Sequence, residues 1–111
     1  MDIGFLSEKD QTFFQGERKV KAKFGAPVAA RFYERLDDIQ AALCMEDLCQ
    51  LPGKWEELLA DRRGEFSCRL HGGYRLIVRP QKQPPPTKPD GGLDWRAIDG
   101  LVFIEVVDYH D

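Results

Sequence analysis

The sequence predicts an α+β domain, with two N-terminal helices packed on one face of a small, mostly antiparallel sheet. Three observations carry this. Phe66, Cys68 and Leu70 alternate with Glu65, Ser67 and Arg69. After His71-Gly72-Gly73, Tyr74, Leu76 and Val78 alternate with Arg75, Ile77 and Arg79, which is the period of a β-hairpin. Val28, Phe32, Leu36, Ile39 and Leu43 recur at steps of four, four, three and four, the stripe of an amphipathic helix. Leu101 to Val107, LVFIEVV, is nearly unbroken β-forming sequence, so it reads as a central strand buried on both faces.

Taken in order, Met1 to Leu6 has the content of a short first strand, with Ile3 and Phe5 alternating with Asp2 and Gly4. Ser7 ahead of Glu8 and Asp10 marks a helix start, because carboxylates favour the positive end of a helix dipole. That helix extends toward Phe24, with Gly16 as a breaking point and Phe13, Phe14, Val20 and Phe24 as its buried members. Gly25 ends it, and Pro27 suits the first turn of the next. The second helix runs from about Pro27 to Leu43 and sets its stripe against Phe66, Leu70, Leu76 and Val78. Glu46 to Leu51 adds a helical turn, stopped by Pro52-Gly53.

Lys54 to Arg63 is a charged connection anchored by Trp55, Leu58 and Leu59. After the hairpin, residues 81–92 hold four of the seven prolines, which predicts an extended, mobile loop. Asp94 to Asp99 adds a helical turn, with Asp94 as its cap and Trp95 and Ile98 pinning it. The chain is thus one domain, 1–111, with a Pro-rich inserted loop at about 80–100.

Register decides what the hairpin presents. A two-residue loop would mix charge into the core face. A three-residue loop, His71 to Gly73, pairs Leu70 with Tyr74, Cys68 with Leu76 and Phe66 with Val78. It gathers Arg69, Arg75 and Arg79 on the opposite face with Ser67, and burial selects this register. That face is either a solvated sheet surface or a phosphate-binding one.

A chain of 111 residues builds one modest core. No run approaches membrane-span length and no cationic-then-apolar segment opens the chain, which predicts a soluble cytoplasmic protein with no membrane partner. Cys44, Cys49 and Cys68 lack metal-ligand spacing and read as reduced structural thiols. No metal or cofactor is called for. The net charge of −3 argues against a general nucleic-acid binder. Its distribution is patchy, however: residues 17–35 sum to +4 and residues 51–80 to +2, against −4 over 36–50 and −3 over 81–111. A local basic site fits that pattern.

Asp108, Tyr109 and His110 follow the last strand directly. A terminal tripeptide is ordinarily a frayed polar tail. Here an apolar strand would hold it beside the hairpin, within reach of Arg75. An arginine with proton-transfer groups around one cleft is what cleavage of a phosphodiester by the RNA 2′-hydroxyl requires.

The run GEFSCRLHGGYRLIV, followed by IEVVDYH, resembles the HigB-like branch of the RelE/ParE toxin superfamily. The likeness extends from about Arg31 to His110 and is densest from Asp61 onward, through Asp61-Arg62, Gly64, Tyr74-Arg75 and Asp108-Tyr109-His110. It implies the RelE/ParE-like fold, in which the helices pack on a small curved sheet. It also implies a toxin of a type II toxin-antitoxin pair, an endoribonuclease that cuts mRNA on the ribosome without metal. Its partners would be that mRNA and a cognate DNA-binding antitoxin. By the same resemblance Arg75, Asp108, Tyr109 and His110 are the catalytic candidates, and Arg62 is a basic residue next to the site. The hairpin face adds Arg69 and Arg79 as RNA-binding candidates.

The family run before the hairpin carries a histidine and a lysine where this chain has Glu56 and Leu59. A carboxylate at position 56 facing the cleft is expected to repel phosphate, so Glu56→His would raise activity. Two other readings follow from the same substitutions: a gyrase-type inhibitor, or a non-catalytic binding module that retains antitoxin binding.

Overall fold

The computed structural model describes residues 1–109, and His110 and Asp111 lie outside the described residues. Each element begins and ends where local chemistry dictates. The Ser7 hydroxyl accepts the Asp10 N–H at 3.1 Å and caps α1, Glu8–Gln15. Gly16 stops α1 by donating its N–H to Phe13 O, and α2, Glu17–Phe24, starts at once. The stretch from Glu8 to Phe24 is therefore two helices, broken at the expected glycine. Gly25, at φ 93°, turns the chain into α3, Ala26–Ala41, with Pro27 in its first turn. A positive φ of this kind favours glycine. A short α4, Met45–Leu48, follows.

Among the described residues five strands form one sheet. They are β1 (Asp2–Phe5), β2 (Glu56–Glu57), β3 (Phe66–Arg69), β4 (Tyr74–Pro80) and β5 (Gly100–Asp108), in spatial order β1-β5-β4-β3-β2. The first strand runs parallel to β5, with Ile3 opposite Leu101, and the remaining pairs are antiparallel. The mostly antiparallel α+β architecture is thus present. One strand was not foreseen: Glu56-Glu57 of the charged connection pairs with Ser67 and Phe66 and extends the sheet beyond the hairpin.

The hairpin register is the one burial selects. Phe66 faces Val78, Cys68 faces Leu76 and Arg69 faces Arg75, and Leu70 N–H bonds Tyr74 O at 2.9 Å across the three-residue loop. Between Ile77 and Val78 the β4–β5 register shifts: Ile77 pairs with Glu105 and Val78 with Phe103, leaving Ile104 unpaired as a bulge. The strand is interior, as expected. Its first four residues are buried and its second half is only partly so.

The core lies between the helices and one face of the sheet. Phe103 meets Phe5, Phe14 and Phe32 edge-on, at 5.6, 5.8 and 5.7 Å between centroids. Edge-to-face geometry suits the ring quadrupoles. Val28, Phe32 and Ile39 of α3 are buried in the same cluster as Phe66, Leu70, Leu76 and Val78. Leu36 is half-buried.

Leu43 departs from the predicted stripe and is 82% exposed. Helix α3 ends at Ala41, Ala42 takes an extended conformation, and its N–H closes on Asp38 O, so the helical period has stopped before Leu43 is reached. Leu59, expected as an anchor, is 75% exposed because it precedes a 3-10 turn over Ala60–Arg62 that turns it outward.

The proline-rich segment is not simply extended. Thr87 and Leu93 form a β-bridge, and Lys88 N–H bonds Gly92 O at 2.8 Å, so the chain folds back as a small hairpin. Its base is fixed where Met45 N–H bonds Ile98 O at 2.9 Å and Trp95 Nε1 donates to Glu57 at 2.8 Å. Ile98 is buried as predicted, but the segment after Asp94 makes a single hydrogen-bonded turn, Ala97 N–H to Asp94 O at 3.0 Å, with Asp94 Oδ1 accepting from Arg96 N–H, and no helix. Among the described residues no helix is long and apolar enough to cross a membrane.

Burial separates two substitutions in α3 and its stripe. Phe32→Ala, at a residue 1% exposed, should lower unfolding free energy by about 3–5 kcal/mol, whereas Leu43→Ala should stay within about 0.5 kcal/mol. Denaturant melts of the two variants read this directly. The buried Cys68 thiol is pushed up to about 12, by burial first. The unfolded thiol loses its proton near its ordinary value, so this contribution to stability is full below about pH 9 and declines as pH rises toward 12. Wild type should therefore lose more of its melting temperature than Cys68→Ala between pH 9 and 11.

Candidate functional site

The sheet face turned away from the helices carries the candidate site. Strand parity puts Ser67 and Arg69 of β3 and Arg75, Ile77 and Arg79 of β4 on it, and Glu56 joins them opposite Ser67. The face is not a plain solvated surface, since Ser67 and Ile77 are buried at 2% and 0%. After the bulge at Ile104, Glu105 and Val107 fall on this face, opposite Ile77 and Arg75. Tyr109 follows in step, and its N–H bonds Gly73 O at 2.9 Å.

The result is an open groove of ≈ 350 Å³ lined by Glu56, Leu58, Ser67, Arg75 and Tyr109. The Arg75 guanidinium carbon lies 5.8 Å from the centre of the Tyr109 ring, within cation–π range. Two of the predicted catalytic residues are thus neighbours. Asp108 pairs with Tyr74 and so occupies the alternate, helix-side position rather than lining the groove. His110 lies outside the described residues.

The three RNA-binding candidates differ. Arg69 is exposed and sits directly opposite Arg75. Like charges in that position repel each other. Arg79 is half-exposed and its Nη1 reaches Pro80 O at 3.5 Å. Arg62 is engaged, with Glu65 at 2.9 Å and Glu105 at 3.3 Å. The hydrogen bond it donates to Glu65 is the main reason its guanidinium is held above its ordinary value. Arg62 therefore ties the 3-10 turn to β5.

Arg69 is fixed by residues that sequence reasoning missed. Its N–H bonds Gly53 O at 2.7 Å, and its carbonyl accepts from Arg35 Nε at 3.0 Å. Arg35 is only 7% exposed. Gly53 makes room for it, at φ 119°, where a Cβ would come within 2.6 Å of Arg35 Nε. Glu56 faces the cleft as expected, as one wall of the groove. Lys54 at φ 48° and Ala60 at φ 57° bracket its segment. Left-handed backbone at non-glycine residues costs on the order of 1 kcal/mol each, so the geometry around Glu56 is held under strain.

Helices leading into an open, mixed five-strand sheet make this an α+β fold. Among solved structures, the chain is similar to a YoeB/ParE toxin from Agrobacterium tumefaciens, with 15% identity and a TM-score of 0.58 over 99% of this chain and 100% of that one. This likeness is one of fold. No family model matches the chain, and no curated protein does.

Gly53→Ala should destabilise the protein by about 1–3 kcal/mol, through both the positive φ and the approach to Arg35. Chemical denaturation measures the loss, and amide hydrogen exchange at Arg69 should speed up in the variant.

Proposed function

We propose that this chain is the toxin of a type II toxin-antitoxin pair, of the HigB-like branch, and that it cuts mRNA on the ribosome. The observation that carries the reading is the shared groove of Glu56, Arg75 and Tyr109. Cleavage by the RNA 2′-hydroxyl needs a proton acceptor, a cation on the phosphorane and a proton donor for the departing 5′-oxygen. Glu56 suits the first role, because its carboxylate lines the groove that holds the cation. Arg75, backed by Arg69, holds the scissile phosphate. Tyr109 steadies the Arg75 guanidinium on its ring and offers its hydroxyl, and His110 delivers the proton to the leaving group. The new O2′–P bond forms as the P–O5′ bond breaks, leaving a 2′,3′-cyclic phosphate and a free 5′-hydroxyl.

In this scheme Glu56 changes meaning. It repels phosphate as a bare charge, but a base placed beside the nucleophile must be an acceptor, and a carboxylate is one. Arg62, occupied by two carboxylates, serves the loop rather than the RNA. The partner is a DNA-binding antitoxin, and the place of action is the cytoplasm, where ribosomes are. The competing reading is a binding module without catalysis, or a gyrase-type inhibitor. Leu59, 75% exposed beside the groove segment, favours it as an apolar contact for a protein partner.

Induction in bacteria followed by mapping of mRNA ends tests the proposal. Arg75→Ala, His110→Ala and Glu56→Gln should each lower cleavage by roughly 10²-fold or more while the melting transition is retained. A rise in cleavage on Glu56→Gln or Glu56→His would return Glu56 to the role of a repelling charge. If wild type leaves mRNA uncut yet copurifies with the product of an adjacent gene, the binding-module reading takes over.

A further inference from the structure

Two polar side chains are buried among the described residues, Arg35 and Ser67. Arg35 is explained by the strand end it holds, through Nε and the Arg69 carbonyl. Ser67 has no task of that kind. It is 2% exposed within β3, and its hydroxyl has no hydrogen-bond partner among the described residues. A hydroxyl taken out of water without a partner costs stability. Its neighbour on β4, Ile77, is buried and apolar, so an alanine would close the same floor at no such cost. The hydroxyl is not sealed off, however. Trp55 Nε1 is the one buried side-chain polar atom, among the described residues, that is both enclosed and without a partner. Ser67 instead forms part of the groove lining, so what is open of it opens there.

Its place is between the two groups on which the cleavage scheme relies. Ser67 lies opposite Glu56 on one side and opposite Ile77 on the other. Directly opposed side chains stand about 5 Å apart at Cβ, so the hydroxyl and the Glu56 carboxylate flank one spot. Arg75 is two residues from Ile77 along β4, on the same face. A diagonal neighbour of this kind is about 7–8 Å away, within reach of a long side chain. A phosphate held by the Arg75 guanidinium and approached by Glu56 therefore rests over Ser67. Of the three groups serine alone is uncharged. It neither repels the phosphate nor competes with Glu56 for a proton.

Resting on the reading that the groove cuts RNA, we propose that Ser67 is a further catalytic residue, whose hydroxyl donates a hydrogen bond to a non-bridging oxygen of the scissile phosphate. As the O2′–P bond forms, negative charge builds on the two non-bridging oxygens. Arg75 meets one and Ser67 the other, and the bond from Ser67 strengthens as that charge grows. The O2′ proton passes to Glu56 and Ser67 keeps its own, so the serine is neither base nor nucleophile. Because β3 is paired on both sides, with β2 and β4, the donor is in position before RNA arrives. A donor fixed in this way needs no reorganisation at the moment of reaction.

Ser67→Ala in the full chain separates a contact residue from a packing residue. Loss of a hydroxyl without a partner should leave the melting temperature unchanged or higher, whereas loss of a packing contact lowers it. Cleavage of ribosome-bound mRNA should slow by about 10²-fold in kcat. The binding probe is a single-stranded RNA oligonucleotide with 2′-deoxy sugars, which presents the phosphates without the nucleophile. Its affinity, read by fluorescence anisotropy, should fall by only about 3–10-fold, because the bond is weaker in the ground state than in the transition state. A variant that cuts as fast as wild type overturns the assignment and leaves the nuclease reading standing. So does a variant whose loss of activity is matched by a lower melting temperature. If wild type cuts no mRNA, yet Ser67→Ala weakens probe binding with its fold intact, the phosphate contact stands and the nuclease reading fails. If wild type neither cuts mRNA nor binds the probe, both fail.

Discussion

The one-residue bulge at Ile104 is the constraint on which the site depends. Before it, Leu101 and Phe103 point to the core, and Phe103 joins the ring cluster that binds α1, α3 and β1 to the sheet. Uninterrupted alternation would continue with Glu105 and Val107 on the core side. The unpaired residue exchanges the faces, as any one-residue slip does. Val106 becomes the next core position, opposite Leu76, while Glu105 and Val107 turn to the far side. Tyr109 inherits that phase and arrives over Arg75. A single strand thereby serves the core with its first half and the groove with its second.

The remainder of the groove is set by restraint of the backbone more than by contact between functional side chains. Arg69 is held at both its amide and its carbonyl, by Gly53 and Arg35. A buried guanidinium is costly to keep, and here it fixes the strand end that places two arginines opposite each other. Arg62 closes the other side by joining the 3-10 turn to Glu65 and Glu105. The carboxylates nearest the groove are thereby divided: Glu65 and Glu105 are neutralised by Arg62, and Glu56 is left facing Arg75 and Tyr109.

Much of this was legible in the sequence where periodicity and turn chemistry agree. The three-residue hairpin loop, the stripe from Val28 to Ile39, the Ser7 cap and the break at Gly16 follow from patterns that burial and φ enforce. The illegible parts share a cause. A bulge leaves no mark in a run such as LVFIEVV, because every residue in it suits either face. The exposure of Leu43 depends on α3 ending two residues earlier, which Ala41 and Ala42 do not announce. The strand at Glu56-Glu57 has neither apolar alternation nor β-branched residues, and it exists because β3 offers it an edge. Glu56 was read as facing the cleft and it lines the groove, but the strand pairing that puts it there was not foreseen.

The parallel pairing of β1 with β5 has a consequence for how the molecule comes together. Asp2 lies against Gly100 and Phe5 against Phe103, so the first strand finds its sheet neighbour only after nearly the whole chain has been traversed. Contacts of such wide sequence separation demand loop closure before they return any stabilisation, and they slow folding. The helices and the β3–β4 hairpin can form from nearby residues. The ring cluster around Phe103 and the groove beside Tyr109 cannot, since both wait on β5. Core closure and assembly of the groove are therefore one kinetic event, and a partly folded chain carries the arginines of the hairpin without the surface that gives them a purpose.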